Sequence, residues 1–271
     1  MDYKYYKKAL TIAGSDSGGG AGIQADLKTF SANGVYGMSA ITAITAQNTR
    51  GVTDIHPIPE DMIKKQITAV MDDIGTEAIK IGMLHSSSVI RTVIESLNQY
   101  NPDNIVIDPV MVATSGDKLL QDEAIDTLIN DMLPIATVIT PNLPEAEIIL
   151  GHSIKTKVQF FEAAKELGQT KARAILLKAG HFEDKELTDV LYITETEELI
   201  ELTGTRIDTQ NTHGTGCTLS SAVAAQLAKG HKLKDAVKLG LQYIHNSIQT
   251  GAEYQLGHGH GPVHHFYNFW N

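Results

Sequence analysis

Runs of β-branched and aliphatic residues alternate with helically spaced apolar positions along most of the chain. Ala9-Leu10-Thr11-Ile12-Ala13 is a compact apolar run that predicts a buried strand, and a long glycine-rich loop follows it. From Ile23 the apolar residues recur at Leu27 and Phe30, a helical period that Asn33-Gly34 closes. Residues 36–46 predict a second strand, and 61–71 a helix entered through Pro59. Further buried strands are expected at 78–81, 105–107, 138–140 and 174–177, with helical patterns at 89–97, 123–133, 145–150 and 159–167. Residues 191–193 and 199–202 suggest a small antiparallel addition. The chain closes with helices over 217–229 and 234–250.

Strand–helix alternation with short connections implies parallel strands joined by right-handed crossovers, hence an α/β fold with a mostly parallel sheet covered on both faces. No repeat, low-complexity tract or linker-like shift interrupts the pattern, so residues 1–271 are expected to form one domain. In such sheets ligands bind where loops leave the carboxyl ends of the strands. Those ends carry Gly14-Ser15-Asp16, Gln47-Asn48, Gly82-Met83, Asp108-Pro109, Thr140-Pro141-Asn142 and Lys178, residues that are polar or conformationally special.

Charge narrows the partners. Apolar residues make up 42% of the chain and charged residues 20%, as in an ordinary globular protein, but the formal net charge is −10. That balance argues against a nucleic-acid groove and against docking on an anionic membrane, so an anionic ligand would need locally supplied positive potential. The first residues are polar, the longest weakly polar run is too short to span a bilayer, and Cys217 is the one cysteine. A cytoplasmic protein without disulfides is expected.

Two glycine-rich segments carry candidate chemistry. Asn211-Thr212-His213-Gly214-Thr215-Gly216-Cys217-Thr218 runs directly into a helical pattern. Glycines before a helix let Gly214, Thr215 and Gly216 turn their amides toward one point, where the helix dipole adds positive charge. Phosphoryl transfer needs such an anion site. Cys217 falls in the first turn, where a thiol's pKa is expected to drop below its free value of about 8.5; the alternative is a buried, inert cysteine. The other segment, residues 14–22, contains Gly20-Ala21-Gly22-Ile23-Gln24-Ala25, which fits the dinucleotide pattern G-x-G-x-x-A. The loop is long for that fingerprint, and no acidic residue closes the second strand. A Walker-type phosphate loop is excluded by its missing lysine. Asp26, one turn into the first helix, either complements the helix dipole or meets a ligand.

With these segments in view, the sequence resembles the hydroxymethylpyrimidine and phosphomethylpyrimidine kinases of thiamine biosynthesis, within the ribokinase-like superfamily. The resemblance rests on residues 14–30, 44–49, 80–84, 107–117, 139–147, 176–181, 211–221 and the tail 257–265. It implies a homodimeric, Mg²⁺- and ATP-dependent enzyme that phosphorylates 4-amino-5-hydroxymethyl-2-methylpyrimidine and then its monophosphate. It places Gly14, Asp26, Gln47, Met83, Val110 and Cys217 around the pyrimidine. Asn142-Leu143-Pro144-Glu145 resembles the superfamily's N-x-x-E element near Mg²⁺ and phosphate, and also reads as a capped helix start. Lys178 is expected to reach ATP phosphates and Asp108 to support the metal. Cys217 stands where the superfamily's sugar kinases carry an aspartate base.

The same residues leave rivals open. A pyridoxal kinase of the same subfamily shares the glycine loop and the cysteine. The glycine pattern alone suggests an NAD-dependent dehydrogenase. A non-catalytic pyrimidine- or metal-binding module draws on His258, His260, His264 and His265, although histidines separated by glycines read more readily as a flexible surface tail.

Overall fold

The computed structural model describes residues 3–111, 119–180 and 186–270; parts of the segments 107–117 and 176–181 therefore lie outside the described residues. The chain begins with strand β1 (Lys8–Ala13), helix α1 (Gly22–Ala32) and strand β2 (Tyr36–Ile41). Strands β3 (Ala43–Asn48) and β4 (Gly51–Pro57) follow, then α2 (Glu60–Asp73), β5 (Ala78–Ile81), α3 (Ser87–Asn98), β6 (Ile105–Ile107), α4 (Asp122–Thr127) and β7 (Val138–Ile139). The remainder is α5 (Leu143–Leu150), α6 (Lys157–Glu166), β8 (Ala174–Leu177), β9 (Glu186–Ile193), β10 (Glu198–Thr205), α7 (Thr215–Ala228) and α8 (Leu233–Gly251).

Eight strands form one sheet in the order β10-β9-β8-β7-β6-β5-β1-β2, parallel from β8 to β2 and antiparallel at β9 and β10. The two-residue period of each strand sorts its side chains between two cores. Leu10, Ile12, Ile79, Ile81, Ile105, Ile107 and Ile175 face the layer of α2, α3 and α6. Smaller residues, Ala9, Ala78, Val106, Val138 and Ala174, face α1, α7 and α8. That small-residue face lets α7 lie close to the sheet, and every residue of α7 from Thr218 to Ala228 is buried. Each valine, leucine or isoleucine so buried contributes about 1.5–3 kcal/mol before the entropy of ordering is counted.

Three expectations change. Residues 36–46 are two strands, because Thr42 leaves the sheet: its amide donates to Ala13 O (3.0 Å) and its hydroxyl to Met83 O (2.8 Å). The chain then turns into β3, which pairs only with β4 in a separate antiparallel ribbon. β4 was not expected, since its mixed, exposed residues carry little apolar period. The helix expected over 123–133 is instead α4, one π turn (Leu128–Met132) and one 3-10 turn (Leu133–Ile135). Pro134 lies in that last turn, where its missing N–H forbids a regular continuation. Finally, β9 and β10 are longer than expected and extend the main sheet beyond β8.

Candidate active site

A cavity of about 1160 Å³ opens at the carboxyl ends of the parallel strands. Gly14 after β1, Met83 after β5, Asp108 and Val110 after β6, Asn142 after β7 and Lys178 after β8 all line it. Gln47, near the end of β3, closes one side, and the start of α7 forms the floor.

The floor is built by glycine. Gly214 caps α7 with φ +79°, the left-handed region that favours a residue without Cβ, and a Cβ there would overlap Gly20 O. The Thr218 amide makes the first helical bond, to Gly214 O (2.9 Å), and Thr215 makes only a 3.3 Å bond to Thr212 O. Among the described residues the Gly216 and Cys217 amides have no backbone partner, so both are available to an anion. A Cβ on Gly216 would stand 3.2 Å from Asp108 Oδ2 and 3.4 Å from Lys178 Nζ, which measures how closely these charges approach the helix start.

Cys217 lines the cavity, partly buried. Its thiol is not acidified as expected. Burial pushes it up to about 11, opposed by Lys80 but reinforced by Asp26 and Asp108. Desolvation by enclosing protein outweighs the attraction of the Lys80 ammonium for a thiolate.

Asp108 Oδ1 accepts from Lys178 Nζ (3.3 Å) and from Thr140 Oγ1 (3.1 Å). Burial works against the Lys178 ammonium, but Asp108 and Glu145 hold its pKa above the ordinary lysine value. Glu145 is pushed up to about 7 by burial; Lys178 counteracts this and Asp108 adds to it. Asn142 and Glu145 also form the expected capping box, with Glu145 N donating to Asn142 Oδ1 (2.9 Å) and Asn142 N to Glu145 Oε2 (2.8 Å).

A family model described as "Phosphomethylpyrimidine kinase" matches residues 16–264 of this chain. The chain belongs to the phosphomethylpyrimidine kinase family. The hydroxymethylpyrimidine/phosphomethylpyrimidine kinase of Rhizobium meliloti is 49% identical over 263 residues, covering 97% of this chain and 98% of that protein. A crystal structure of phosphomethylpyrimidine kinase from Clostridium difficile 630 is similar with TM-score 0.77 and 46% identity, covering 88% of this chain and 97% of that one. An ADP complex of Bacillus subtilis pyridoxal kinase is similar with TM-score 0.89 and 40% identity, covering 98% of this chain and all of that one. The fold is accordingly the ribokinase-like arrangement expected, and the chain is a kinase.

In this phosphomethylpyrimidine kinase family member, the expected pyrimidine residues divide. Gly14, Gln47, Met83 and Val110 share the cavity, and the Met83 methyl packs on Gly14, where a Cβ would displace it. Asp26 does not line it. Its carboxylate is wholly buried and accepts from Thr11 Oγ1 (2.6 Å), Ser221 Oγ (2.7 Å) and Lys80 Nζ (2.9 Å). Neither the ligand role nor the dipole role describes it; it is the counter-charge of Lys80. Lys80 does line the cavity, with Gly82 leaving room beside its ammonium. Residues 80–84 carry part of the resemblance, but the sequence assigns Lys80 no role, because a lysine inside an apolar strand announces no partner.

Asp16 and His213 were also missed as a pair. Asp16 Oδ2 accepts from the Gly20 and Ala21 amides (2.9 and 2.8 Å) and from His213 Nε2 (2.9 Å), while Oδ1 accepts from Gly18 (2.8 Å). Burial opposes its charge, but His213 and these amides outweigh it and lower its pKa. An aspartate preceding glycines is a turn signal that pointed to the loop bonds, though not to a histidine 197 residues away. The dinucleotide pattern is set aside, because the Gly20 face is filled by His213 and Pro262. The cavity extends over α8 and residues 203–207 at the end of β10, a mixed wall in which Ile207, Leu241, Ile244 and Ile248 alternate with Arg206, Lys238 and His245, and which carries no sequence signature.

Proposed function

We propose that this chain transfers the γ-phosphoryl group of ATP to the hydroxymethyl of 4-amino-5-hydroxymethyl-2-methylpyrimidine, and then to the resulting monophosphate, supplying the pyrimidine diphosphate for thiamine diphosphate synthesis. One observation carries it: a single cavity joins the unpaired Gly216 and Cys217 amides to Lys178 and Asp108 and to Gly14, Gln47, Met83 and Val110. Family relatives bear the corresponding name, and the ADP complex of the similar Bacillus subtilis pyridoxal kinase supports use of an adenine nucleotide.

Gln47 offers both a donor and an acceptor to an aminopyrimidine edge, while Met83 and Val110 pack its faces. The acceptor hydroxyl then lies over the start of α7, within reach of the Cys217 sulfur. Its oxygen forms a bond to the γ-phosphorus as the bond to the β,γ-bridging oxygen breaks. The Gly216 and Cys217 amides, presented by the Gly214-Thr215 turn, and Lys178 hold the charge of the moving group. In the first phosphorylation the hydroxyl proton passes to the Cys217 thiolate. In the second the acceptor phosphate is already anionic and needs no base.

Asp108 and Glu145 fit a magnesium ion: both are buried hard-oxygen carboxylates lining the same cavity, and Asp108 helps to push the Glu145 pKa up. Bound Mg²⁺ would neutralise phosphate charge there. The chain is further expected to act as one domain, in the cytoplasm and as a homodimer; no helix among the described residues is long and apolar enough to cross a membrane.

Likeness to a pyridoxal kinase over 98% of the chain supports a second reading, phosphorylation of a pyridoxal-type alcohol. A coupled ATP-consumption assay with hydroxymethylpyrimidine, its monophosphate and pyridoxal decides between them. The pyrimidine alcohol is expected to give the highest kcat/KM; turnover of pyridoxal alone would replace the first reading with the second.

A further inference from the structure

The glycine–histidine tail plays no part in the chemistry above, yet it joins the β3–β4 turn to the segment that precedes α7. At one end it grips Thr49, in the turn between β3 and β4 and two residues from Gln47. The His260 amide donates to Thr49 O (2.9 Å), and the Gly259 and His258 amides reach Thr49 Oγ1 at 3.2 and 3.3 Å. A Cβ on Gly259 would overlap Thr49 O. At the other end Gly261 O accepts from the His213 amide (3.0 Å), immediately before Gly214, and a Cβ on Gly261 would overlap Asn211 Oδ1. The His258 and His260 side chains are exposed, and no group of metal-holding residues forms among the described residues. Backbone and glycine, rather than imidazole, make every close contact with Thr49.

We propose that residues 257–262 are a strap of positioning residues that holds the Gln47-bearing hairpin in register with the anion-binding turn. The hairpin belongs to a separate two-stranded ribbon whose base is tied to the end of β1 through Ser15 bonds to Ala43 and Thr45, while its tip at residues 47–49 has no pairing with the main sheet among the described residues. A second link runs through the glycine loop, where Ser17 Oγ bonds Gln47 O (2.7 Å) and Asp16 bonds His213. With both links the hairpin, loop and turn form a closed ring, and displacing any part by about 1 Å is enough to cost rate.

The role of the strap in catalysis rests on the proposed function, so the test has two readouts. In steady-state assays Gly259→Ala raises KM for hydroxymethylpyrimidine about fivefold while KM for ATP stays within about twofold, and Gly261→Ala lowers kcat about tenfold. Thr49→Ala reproduces the Gly259→Ala effect and Thr49→Ser restores the wild-type constants, a rescue that general loss of stability would not give. Hydrogen exchange reads the strap without any turnover: in Gly261→Ala, protection falls at residues 45–50 as well as 211–217. Exchange changes confined to the substituted end, or unaltered KM and kcat in both glycine variants, would overturn the strap. A wild-type enzyme inactive on the pyrimidine would instead overturn the proposed function and leave the exchange result standing.

Discussion

Cys217 stands at the start of α7, where the helix dipole favours a thiolate, yet enclosure by protein and the charges of Asp26 and Asp108 push its pKa up to about 11. A base of that strength is effective but scarce at neutrality. The thiolate fraction grows tenfold per pH unit below that value, so kcat for the first phosphorylation should climb with slope near one from about pH 7 to about pH 9. The second phosphorylation should stay flat over that range. Cys217→Ala should slow the first step about a hundredfold, abolish its pH slope and change the second severalfold at most, measured with each purified acceptor. Equal losses in both steps would remove the base role. Glu145 titrates in the opposite sense for stability. Its folded-state pKa, about 7, lies above the ordinary 4.5, so its contribution is fully present below about pH 4.5 and is lost as pH rises through about 7. Glu145→Gln keeps an oxygen for the Asn142 amide and should gain about 2 kcal/mol over wild type at pH 8, with no gain at pH 4. Thermal melts at the two pH values measure it.

Strand β5 and helix α1 meet through a buried ion pair with no solvent access to either side chain, Lys80 with Asp26 at 2.9 Å. Removing one partner strands the other charge, so Lys80→Met should cost about 3–5 kcal/mol. Adding Asp26→Asn to Lys80→Met should recover part of that loss, because an amide needs no counter-charge; a double-mutant cycle by urea unfolding checks the coupling. At this scale the buried parallel strands were legible, since Ala78–Ile81, Ile105–Ile107 and Ala174–Leu177 are short apolar runs that only a covered sheet accommodates. β4 was not, because an exposed ribbon strand needs no apolar period. The break at Thr42 was hidden for another reason: its cause is a bond to Met83 O, 41 residues distant.

Over the whole molecule the net charge of −10 makes binding of a nucleotide triphosphate depend on the local cations and amides of one cavity. ATP with Mg²⁺ should therefore raise the melting temperature by several degrees, since a ligand at about 100 times its Kd stabilises by about 2.7 kcal/mol, whereas NAD⁺ should leave it unchanged. Protection by NAD⁺ alone would contradict the nucleotide assignment. The residues of that cavity were unevenly readable. Gly214, Thr215, Gly216 and Cys217 form one contiguous segment whose local chemistry announces an anion site, and Asn142 with Glu145 announces a capped helix. Gly14, Gln47, Met83 and Val110 emerged through resemblance, since each alone is an ordinary loop or core residue. Asp26 was misplaced, because its neighbours Thr11, Lys80 and Ser221 come from three other elements.

The sequence by itself determined the alternation of buried strands and helices, the glycine turn into α7 and the absence of a Walker lysine, because backbone freedom and apolar periodicity act over a few residues. Tertiary structure alone decided the protonation of Cys217, the pairing of Asp26 with Lys80 and of Asp16 with His213, and the path of the C-terminal tail across Thr49 and Asn211. Those outcomes depend on desolvation and on charges brought together from distant parts of the chain, quantities that have no value until the fold encloses them.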